Sequence, residues 1–410
     1  MPTIAVLGTF DTKGPEHAFL AEQIRHQGFT TLLIDVATLE HTGLSADIGT
    51  AEIAAQSGVA DWKSVLAKKD RGASVALMAA GAARVLADLV SSGRIQGVIS
   101  MGGGGGTAIG SAAMRGLPLG FPKVMVTTLA SGHTAPYIGT SDLVLFPAVV
   151  DVAGLNRISR LTFENAAGAI CGMVRAAEAR RGTPPAGKPI VVASMFGNTT
   201  ICINEAKRLI EAAGYEVLVY HATGTGGRNM EALISSGLVS GVLDLTTTEW
   251  ADELVGGILT AGPTRLDAAA RAGIPTLIAP GCLDMVNFGE PQTVPARFSG
   301  RRFYQHNPQV TLMRTDAKES AELGRILAEK ANTYRGPVRI FFPKKGLSVI
   351  GEAGQPFHDV EADAALLAGI RRHLRSDIPL LEQDTTINDL AFARICAESL
   401  LHMLEAARQR

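Results

Sequence analysis

Cysteine is scarce in this chain. Its four thiols, Cys171, Cys202, Cys282 and Cys396, lie far apart in 410 residues with no C-x-x-C pair. Neither a zinc site nor a disulfide framework is expected, and a reducing, cytoplasmic setting fits best. A long apolar run is missing as well: the longest stretch, Val75 to Val90, is interrupted by Arg84 and Asp88, unlike a membrane span of ~20 apolar residues. The first residues have no basic segment followed by a small-residue cleavage site, so no signal peptide is expected. Neither sign of charge dominates, because 38 Lys+Arg against 39 Asp+Glu leave a net charge of -1. A nucleic-acid binder would show a basic excess, so neither nucleic acid nor membrane is expected as a partner. The H-E-x-x-H, EF-hand and G-x-S-x-G patterns are absent too, which removes the usual metalloprotease, calcium and hydrolase-elbow readings.

Glycine, by contrast, is abundant: 45 residues, about 11% against a usual ~7%. Tight turns, or loops that let a ligand approach the backbone, are the physical uses of such an excess. With 46% hydrophobic and 19% charged residues the chain is globular, and its length suggests two or three domains.

Short Val/Ile/Leu runs alternate with longer segments of helical period, the pattern of helices covering both faces of a parallel sheet. The fold class is therefore α/β. In the first half, strands are expected near Ile4 to Leu7, Thr31 to Val36, Val98 to Ser100, Val124 to Thr127 and Leu143 to Phe146, with helices near Pro15 to Gln27, Ala73 to Ser91, Thr107 to Met114 and Leu155 to Arg180. The Pro/Gly cluster of residues 181–189 marks a boundary, dividing the chain into residues 1–183 and 184–410. Beyond it, strands fit Ile190 to Ala193, Val217 to Tyr220, Val242 to Leu245, Thr276 to Ile278, Val310 to Met313 and Val338 to Phe342. Helices fit Thr200 to Ala213, Met230 to Ser236, Thr248 to Leu259, Thr264 to Ala272, Asp316 to Lys330 and Asn388 onward.

The richest motif is Gly102-Gly103-Gly104-Gly105-Gly106-Thr107, placed after a strand and before a helix. There, bare N–H groups and a helix N-terminus can meet an anion. Gly8-Thr9-Phe10-Asp11-Thr12-Lys13-Gly14 follows the first strand without forming a P-loop; Lys13 in a first helical turn opposes the helix dipole and calls for an anion nearby. Asp35 ends the second strand, where a carboxylate often accepts from ribose hydroxyls. Thr127, Thr128, Ser131 and Gly132 add hydroxyls and a glycine after a fourth strand.

In the second half, His221-Ala222-Thr223-Gly224-Thr225-Gly226-Gly227-Arg228 repeats the logic of a small anion pocket. Thr246 and Glu249 have the spacing of a capping box. His221, Glu249, Asp284 and His306 would make a general acid/base group if they met in one crevice. Cys282 beside His306 is a candidate nucleophile, although nothing local would lower its pKa.

Gly8-Thr9-x-Asp11-Thr12-Lys13, the Gly102 to Thr107 loop, the block from Ala130 to Pro147, His221 to Arg228, Asp284 to Gly289 and Leu312 to Thr315 resemble one family. It is uncharacterised protein family 0261, two-domain proteins related to the ATP-binding N-terminal region of the plant tomato-mosaic-virus resistance protein. The resemblance implies two Rossmann-like domains, each a mostly parallel sheet flanked by helices, ATP in the first, and self-association into a homo-oligomer. It places ATP contacts at Gly8, Thr9, Thr12 and Lys13, at Gly102 through Thr107, and at Thr127, Thr128, Ser131 and Gly132. The plant proteins are expected to continue into a barrel-like domain beyond the equivalent of Arg410, and their antiviral role is not carried over.

The reading that follows is a cytoplasmic ATP-binding protein with a second polar pocket in its second domain. Mg²⁺ would accompany the phosphates, held indirectly by Asp11 or Asp142, with its ligands otherwise unassigned. Two alternatives are an ATP-dependent enzyme that activates or phosphorylates a small carboxylate, and a non-enzymatic module controlled by nucleotide.

Overall fold

A run such as Ile4-Ala5-Val6-Leu7 can be buried at every position only if helices cover both faces of its sheet. In the computed structural model, which describes residues 1–39, 43–182 and 187–409, the chain divides into two units, residues 1–184 and 185–410. The expected Pro/Gly junction lies partly outside the described residues, at 183–186.

The first unit has five parallel strands, β1 (Thr3–Gly8), β2 (Thr30–Asp35), β3 (Gly97–Gly102), β4 (Lys123–Thr127) and β5 (Val144–Pro147). Their order is β2-β1-β3-β4-β5. Its helices are α1 (Phe10–His26), α2 (Thr50–Ala55), α3 (Trp62–Ala67), α4 (Arg71–Ser91), α5 (Gly104–Arg115), α6 (Ala135–Ile138) and α7 (Arg157–Arg180). Side chains alternate across a strand, and here Ala5 and Leu7 pack with Leu77, Met78 and Leu86 of α4 and Ile109 of α5. Ile4 and Val6 pack on the other face with Leu20 and Ile24 of α1 and Phe163 and Ile170 of α7. In length and composition α4 would suffice to cross a membrane, but one stripe of it belongs to this core.

The second unit repeats the plan. Strands β6 (Ile190–Met195), β7 (Glu216–His221), β8 (Val239–Thr246) and β9 (Thr276–Gly281) lead into an antiparallel insert of β10 (Met285–Phe288), β11 (Phe303–Asn307) and β12 (Val310–Arg314). The main sheet resumes with β13 (Val338–Pro343) and β14 (Leu380–Gln383). The six parallel strands run β14-β13-β9-β8-β6-β7. Around them lie α8 (Thr200–Ala212), α9 (Thr225–Ser235), α10 (Glu249–Val255), α11 (Asp267–Ala272), α12 (Ala317–Asn332), α13 (Val360–His373) and α14 (Leu390–Arg408). The fold is α/β with two parallel sheets flanked by helices, as the alternating pattern requires.

Several boundaries differ from the sequence expectation. The first helix begins at Phe10, not Pro15, and is broken at Lys13 (φ -138°, ψ 30°) just before the proline. The third expected helix begins at Gly104, three residues before Thr107. Helix α10 stops at Val255 rather than Leu259 because Gly256 takes the left-handed conformation (φ 95°) that ends a helix.

Asp252 joins α10 to the insert: its carboxylate accepts from the Asn287 N–H (3.0 Å) and side-chain amide (2.7 Å) and from the Leu259 N–H (3.3 Å). Burial outweighs these bonds and pushes its pKa up to about 7. A group whose folded pKa exceeds its unfolded value stabilises fully below the unfolded pKa and loses that contribution as pH rises through the folded one. Asp252→Asn mimics the protonated form, since the Asn287 amide can turn to present its oxygen. Relative to Asp252→Asn, the wild type is expected to lose stability between about pH 4 and pH 7, by at most about 1.4 kcal/mol per pH unit. Urea unfolding of both proteins across that range checks this, and parallel pH profiles would contradict it.

Candidate functional site

In the first unit the chain goes from β1 outward to β2, then crosses back to β3 on the other side of β1. Loops leaving the carboxyl ends of β1 and β3 therefore diverge, and doubly wound sheets bind ligands in the crevice this reversal creates. A cavity of 530 Å³ lies there, lined by Thr9, Asp11, Thr12 and Lys13 after β1, by Thr38 and Leu39 after β2, and by Gly103 to Gly106 after β3. Lys69, Arg71, Ser74 and Val75 at the start of α4, Ile109 and Asp151 complete it.

The glycine segment is not a long loop. Gly102 ends β3, Gly103 is the N-cap of α5, and Gly104, Gly105 and Gly106 are its first turn. The first N–H groups of a helix have no acceptor within it, and α5 has no side-chain cap; its first backbone acceptance is Thr107 N–H to Gly103 O, 2.9 Å. The five glycines divide into two groups by what a Cβ would meet. At Gly102 it would lie 2.8 Å from the Gly106 Cα, so helix and strand approach too closely for a side chain. At Gly104 it would meet nothing within 4 Å, and at Gly103 and Gly105 the nearest atoms are 3.9 and 3.5 Å away. These three are bare on the cavity side.

Three cations face this turn. The break at Lys13 lets its ammonium donate to the Val152 carbonyl. The side chains of Lys69, held at φ 54° between α3 and α4, and of Arg71 make no hydrogen bond or ion pair among the described residues. The opposing carboxylates are Asp151 and Asp11, whose oxygens accept from the Thr12 hydroxyl (3.3 Å) and the Leu39 N–H (3.3 Å). Lys69, Arg71 and Asp151 escaped the sequence reading because nothing near them in the chain resembles a phosphate motif. His17 escaped it as well: its Nδ1 bonds the Lys13 carbonyl (2.7 Å) and its ring fills the space a side chain on Gly8 would need. Burial lowers its pKa, so the ring beneath the loop is neutral.

The other first-unit candidates fall into two places. Thr127, Thr128 and Ser131 line a neighbouring 390 Å³ hollow after β4 and β5, which also reaches Asp151. Thr107 and Thr127 are buried and bond each other (2.7 Å), pinning α5 to β4. Gly8 and Gly102 are buried in the strand ends, and Gly132 closes a turn onto Leu129 O (3.1 Å). Asp35 is buried, its Oδ1 accepting from the Phe10 N–H (3.1 Å) and Ala37 N–H (2.9 Å); it shapes the β1 and β2 exits and does not line the cavity. Asp142 pairs with buried Lys123 (2.6 Å) and caps the Gly120 N–H (2.7 Å). That leaves Asp11, with Asp151, as the carboxylates at the cavity.

In the second unit His221 and His306 are exposed, on β7 and β11, while Glu249 and Asp284 are buried. Among the described residues no hydrogen bond or ion pair joins any two of the four. His221 packs against Phe196 (centroids 5.4 Å apart). The Asp284 pKa is raised by burial, and one oxygen accepts from the Ser348 hydroxyl (2.6 Å). Cys282 is buried, which pushes its thiol well above its ordinary pKa, the opposite of an activated nucleophile. Glu249 forms no capping box with Thr246, whose hydroxyl bonds Thr199 (2.8 Å). Its Oε1 instead accepts from the Gly224 and Gly227 N–H groups (2.7 and 3.0 Å), and its Oε2 pairs with Arg265 (2.7 Å). Arg265, 1% exposed, also pairs with Asp244 (2.8 Å) and more loosely with Glu231 (3.4 Å). Burial acts to lower the Arg265 pKa, but Asp244 and Glu249 outweigh it and hold the guanidinium charged.

The family model for the N-terminal domain of uncharacterised protein family UPF0261 matches residues 2–179, and that for its C-terminal domain matches residues 188–404. A UPF0261 protein of Clostridium tetani is 46% identical over 98% of this chain and 99% of its own length. Another, from Mesorhizobium japonicum, is 46% identical over 98% of this chain and 99% of its own length. The ToMV resistance protein Tm-1(GCR237) of Solanum lycopersicum is 38% identical over 99% of this chain but only 56% of its own length. The chain belongs to the UPF0261 family.

Removing one partner of a buried ion cluster strands the remaining charges. Arg265→Ala is therefore expected to destabilise the second unit by about 3–5 kcal/mol, read as a lowered urea midpoint. A loss below about 1 kcal/mol would show that the carboxylates are neutral in the folded chain.

Proposed function

We propose that this chain, as a member of that family, is an ATP-binding protein whose first unit holds the triphosphate against the N-terminus of α5. One observation carries the reading: an uncapped first turn made of glycine shares a cavity with Lys13, Lys69 and Arg71. Backbone N–H groups, a helix dipole and fixed cations are what a polyanion needs, and the bare Cα atoms let its oxygens reach hydrogen-bond distance. Lys13 is held ready by the Val152 carbonyl, and the Arg71 guanidinium can take a phosphate in bidentate fashion. Four buried, unpaired thiols are in keeping with a reducing cytoplasm.

Mg²⁺ fits this donor set. Among the described residues no cluster of three or more His, Cys, Asp or Glu could cage a metal, but Mg²⁺ bound with nucleotide uses one or two carboxylates, phosphate oxygens and water. Asp11 and Asp151 would supply the carboxylates, and the ion would screen the phosphate charge. For an enzyme that activates a small carboxylate, the second unit would have to offer a free acid or base. Glu249 is engaged by Arg265 and two backbone N–H groups and is not such a group, and the exposed His221 and His306 do not join it in one site.

Calorimetric titration with ATP and Mg²⁺ tests this. A Cβ at Gly104 would meet nothing within 4 Å, so Gly104→Val should leave stability nearly unchanged and weaken ATP at least tenfold. Equal affinity in both proteins would reject the glycine turn as the phosphate site. Arg71→Ala removes a charge-assisted contact worth about 1.5–3 kcal/mol and should weaken ATP by about tenfold or more; an unchanged dissociation constant would remove Arg71 from the site.

A further inference from the structure

The phosphate cavity does not end at β2. Thr38, Leu39 and Lys69 also line a second hollow of 710 Å³ on the side of α2 and α3, and the character of the lining changes there. The first hollow has glycine backbone and three cations. The second is walled by Leu39, Ala51, Trp62 and Leu66, with the hydroxyls of Thr38 and Thr50 among them and Lys63 and Lys69 at its lining, and it has no glycine backbone. The Trp62 indole is half-buried, packed on one side against the core beneath α4. None of the six residues of α3 is fully buried, so this helix lies over the hollow more than it fills the interior.

From this juxtaposition we infer that the Trp62 hollow is the base subsite of the nucleotide, taking a purine ring against the indole while the phosphates lie at Gly103 to Gly106. The inference rests on the ATP reading above and adds what distinguishes a nucleotide from a bare polyphosphate. In doubly wound sheets the ribose is met at the carboxyl end of the second strand, which places the base beyond it, on the side where this hollow lies. Asp35, the residue at that strand end, is turned inward to the Phe10 and Ala37 N–H groups. Thr38 and Lys69, common to both hollows, stand at the crossing instead. An indole supplies a large, rigid apolar face, and every base has a π-face to lay on it. The Lys63 ammonium lies 5.6 Å from the indole centroid, so a cation already covers part of the ring and adds no acceptor that would select among bases. Purine stacking with tolerance for adenine or guanine is the expected specificity.

The test compares ATP with inorganic tripolyphosphate, both with Mg²⁺, on the full chain by calorimetry. Trp62→Ala should weaken ATP by about tenfold or more, the usual scale of a lost base stack, and leave tripolyphosphate within about twofold. Ala51→Phe, at an exposed helical position, fills the hollow without removing the indole and should give the same split. ATP should also change the wild-type tryptophan emission, and this change should vanish in Trp62→Phe, where Trp250 of the second unit is the one remaining indole; tripolyphosphate should cause none. Equal losses for both ligands, or an ATP affinity that neither variant alters, would overturn the base subsite while the phosphate site stands. If wild type binds tripolyphosphate and ATP equally well, the base makes no contact and the assignment fails. If it binds neither, the ATP reading fails and this inference with it.

Discussion

Backbone N–H groups at the start of a helix need an acceptor, and the two units answer that demand in opposite ways. At α9 the chain supplies its own anion: Glu249 reaches back 25 and 22 residues to the Gly224 and Gly227 N–H groups. At α5 no described side chain does so, and the first turn faces a cavity with cations instead. An anion from outside the chain would satisfy both the N–H groups and the cations. Three features of the first unit hold this turn in place at the cavity. The β1/β3 reversal opens the crevice, His17 supports the loop that carries Lys13, and the Thr107–Thr127 bond fixes the axis of α5.

Internal satisfaction in the second unit carries its own cost. Arg265 faces Asp244, Glu249 and Glu231, one positive charge among three acidic groups in a low-dielectric interior. Burial raises the Glu231 pKa, with Arg265 and the Leu266 and Ala268 N–H groups opposing, so the outermost acid is held by backbone donors as well as by the shared guanidinium. Asp244 is fixed further by the Ser194 hydroxyl (2.7 Å), which in turn accepts from the Thr246 N–H (2.9 Å). The cluster thereby ties the carboxyl ends of β6 and β8, where the first unit keeps an open crevice. The same topological reversal, filled with side chains, becomes a structural joint.

This contrast also sets what was legible in the sequence. Both glycine segments, Gly102 to Gly106 and Gly224 to Gly227, look like anion-binding turns, and chemically both are. Only one anion is missing from the chain, because a glutamate two elements downstream occupies the other turn, and spacing along the sequence carries no information about that approach. Strands buried on both faces were readable since their apolar runs are continuous, as at β1 and β9. The insert strands β10 and β11 were not. Phe303–Asn307 is mostly exposed, so no burial pattern marks it, and Met285–Phe288 is too short to show a period. Lys69 and Arg71 were invisible for a related reason: a left-handed residue between two helices aims them, and no local composition encodes that aim.

Glycine count alone is therefore a poor guide to function, and the five consecutive residues of β3 and α5 show why. Gly102 is needed because the Gly106 Cα would sit 2.8 Å from its Cβ, and Gly106 because Met101 O would lie 3.2 Å away; these are packing constraints that hold with or without a ligand. Gly103, Gly104 and Gly105 meet no such neighbour, and at Gly104 and Gly105, inside the helix, alanine would favour it by up to about 1 kcal/mol per residue. A sequence that keeps glycine where the fold gains nothing from it leaves the space above the turn as the reason. The charged groups that bound that space are the Lys13 and Lys69 ammoniums and the Arg71 guanidinium against the Asp11 and Asp151 carboxylates, and together with the N–H groups of the turn they favour negative charge as its complement.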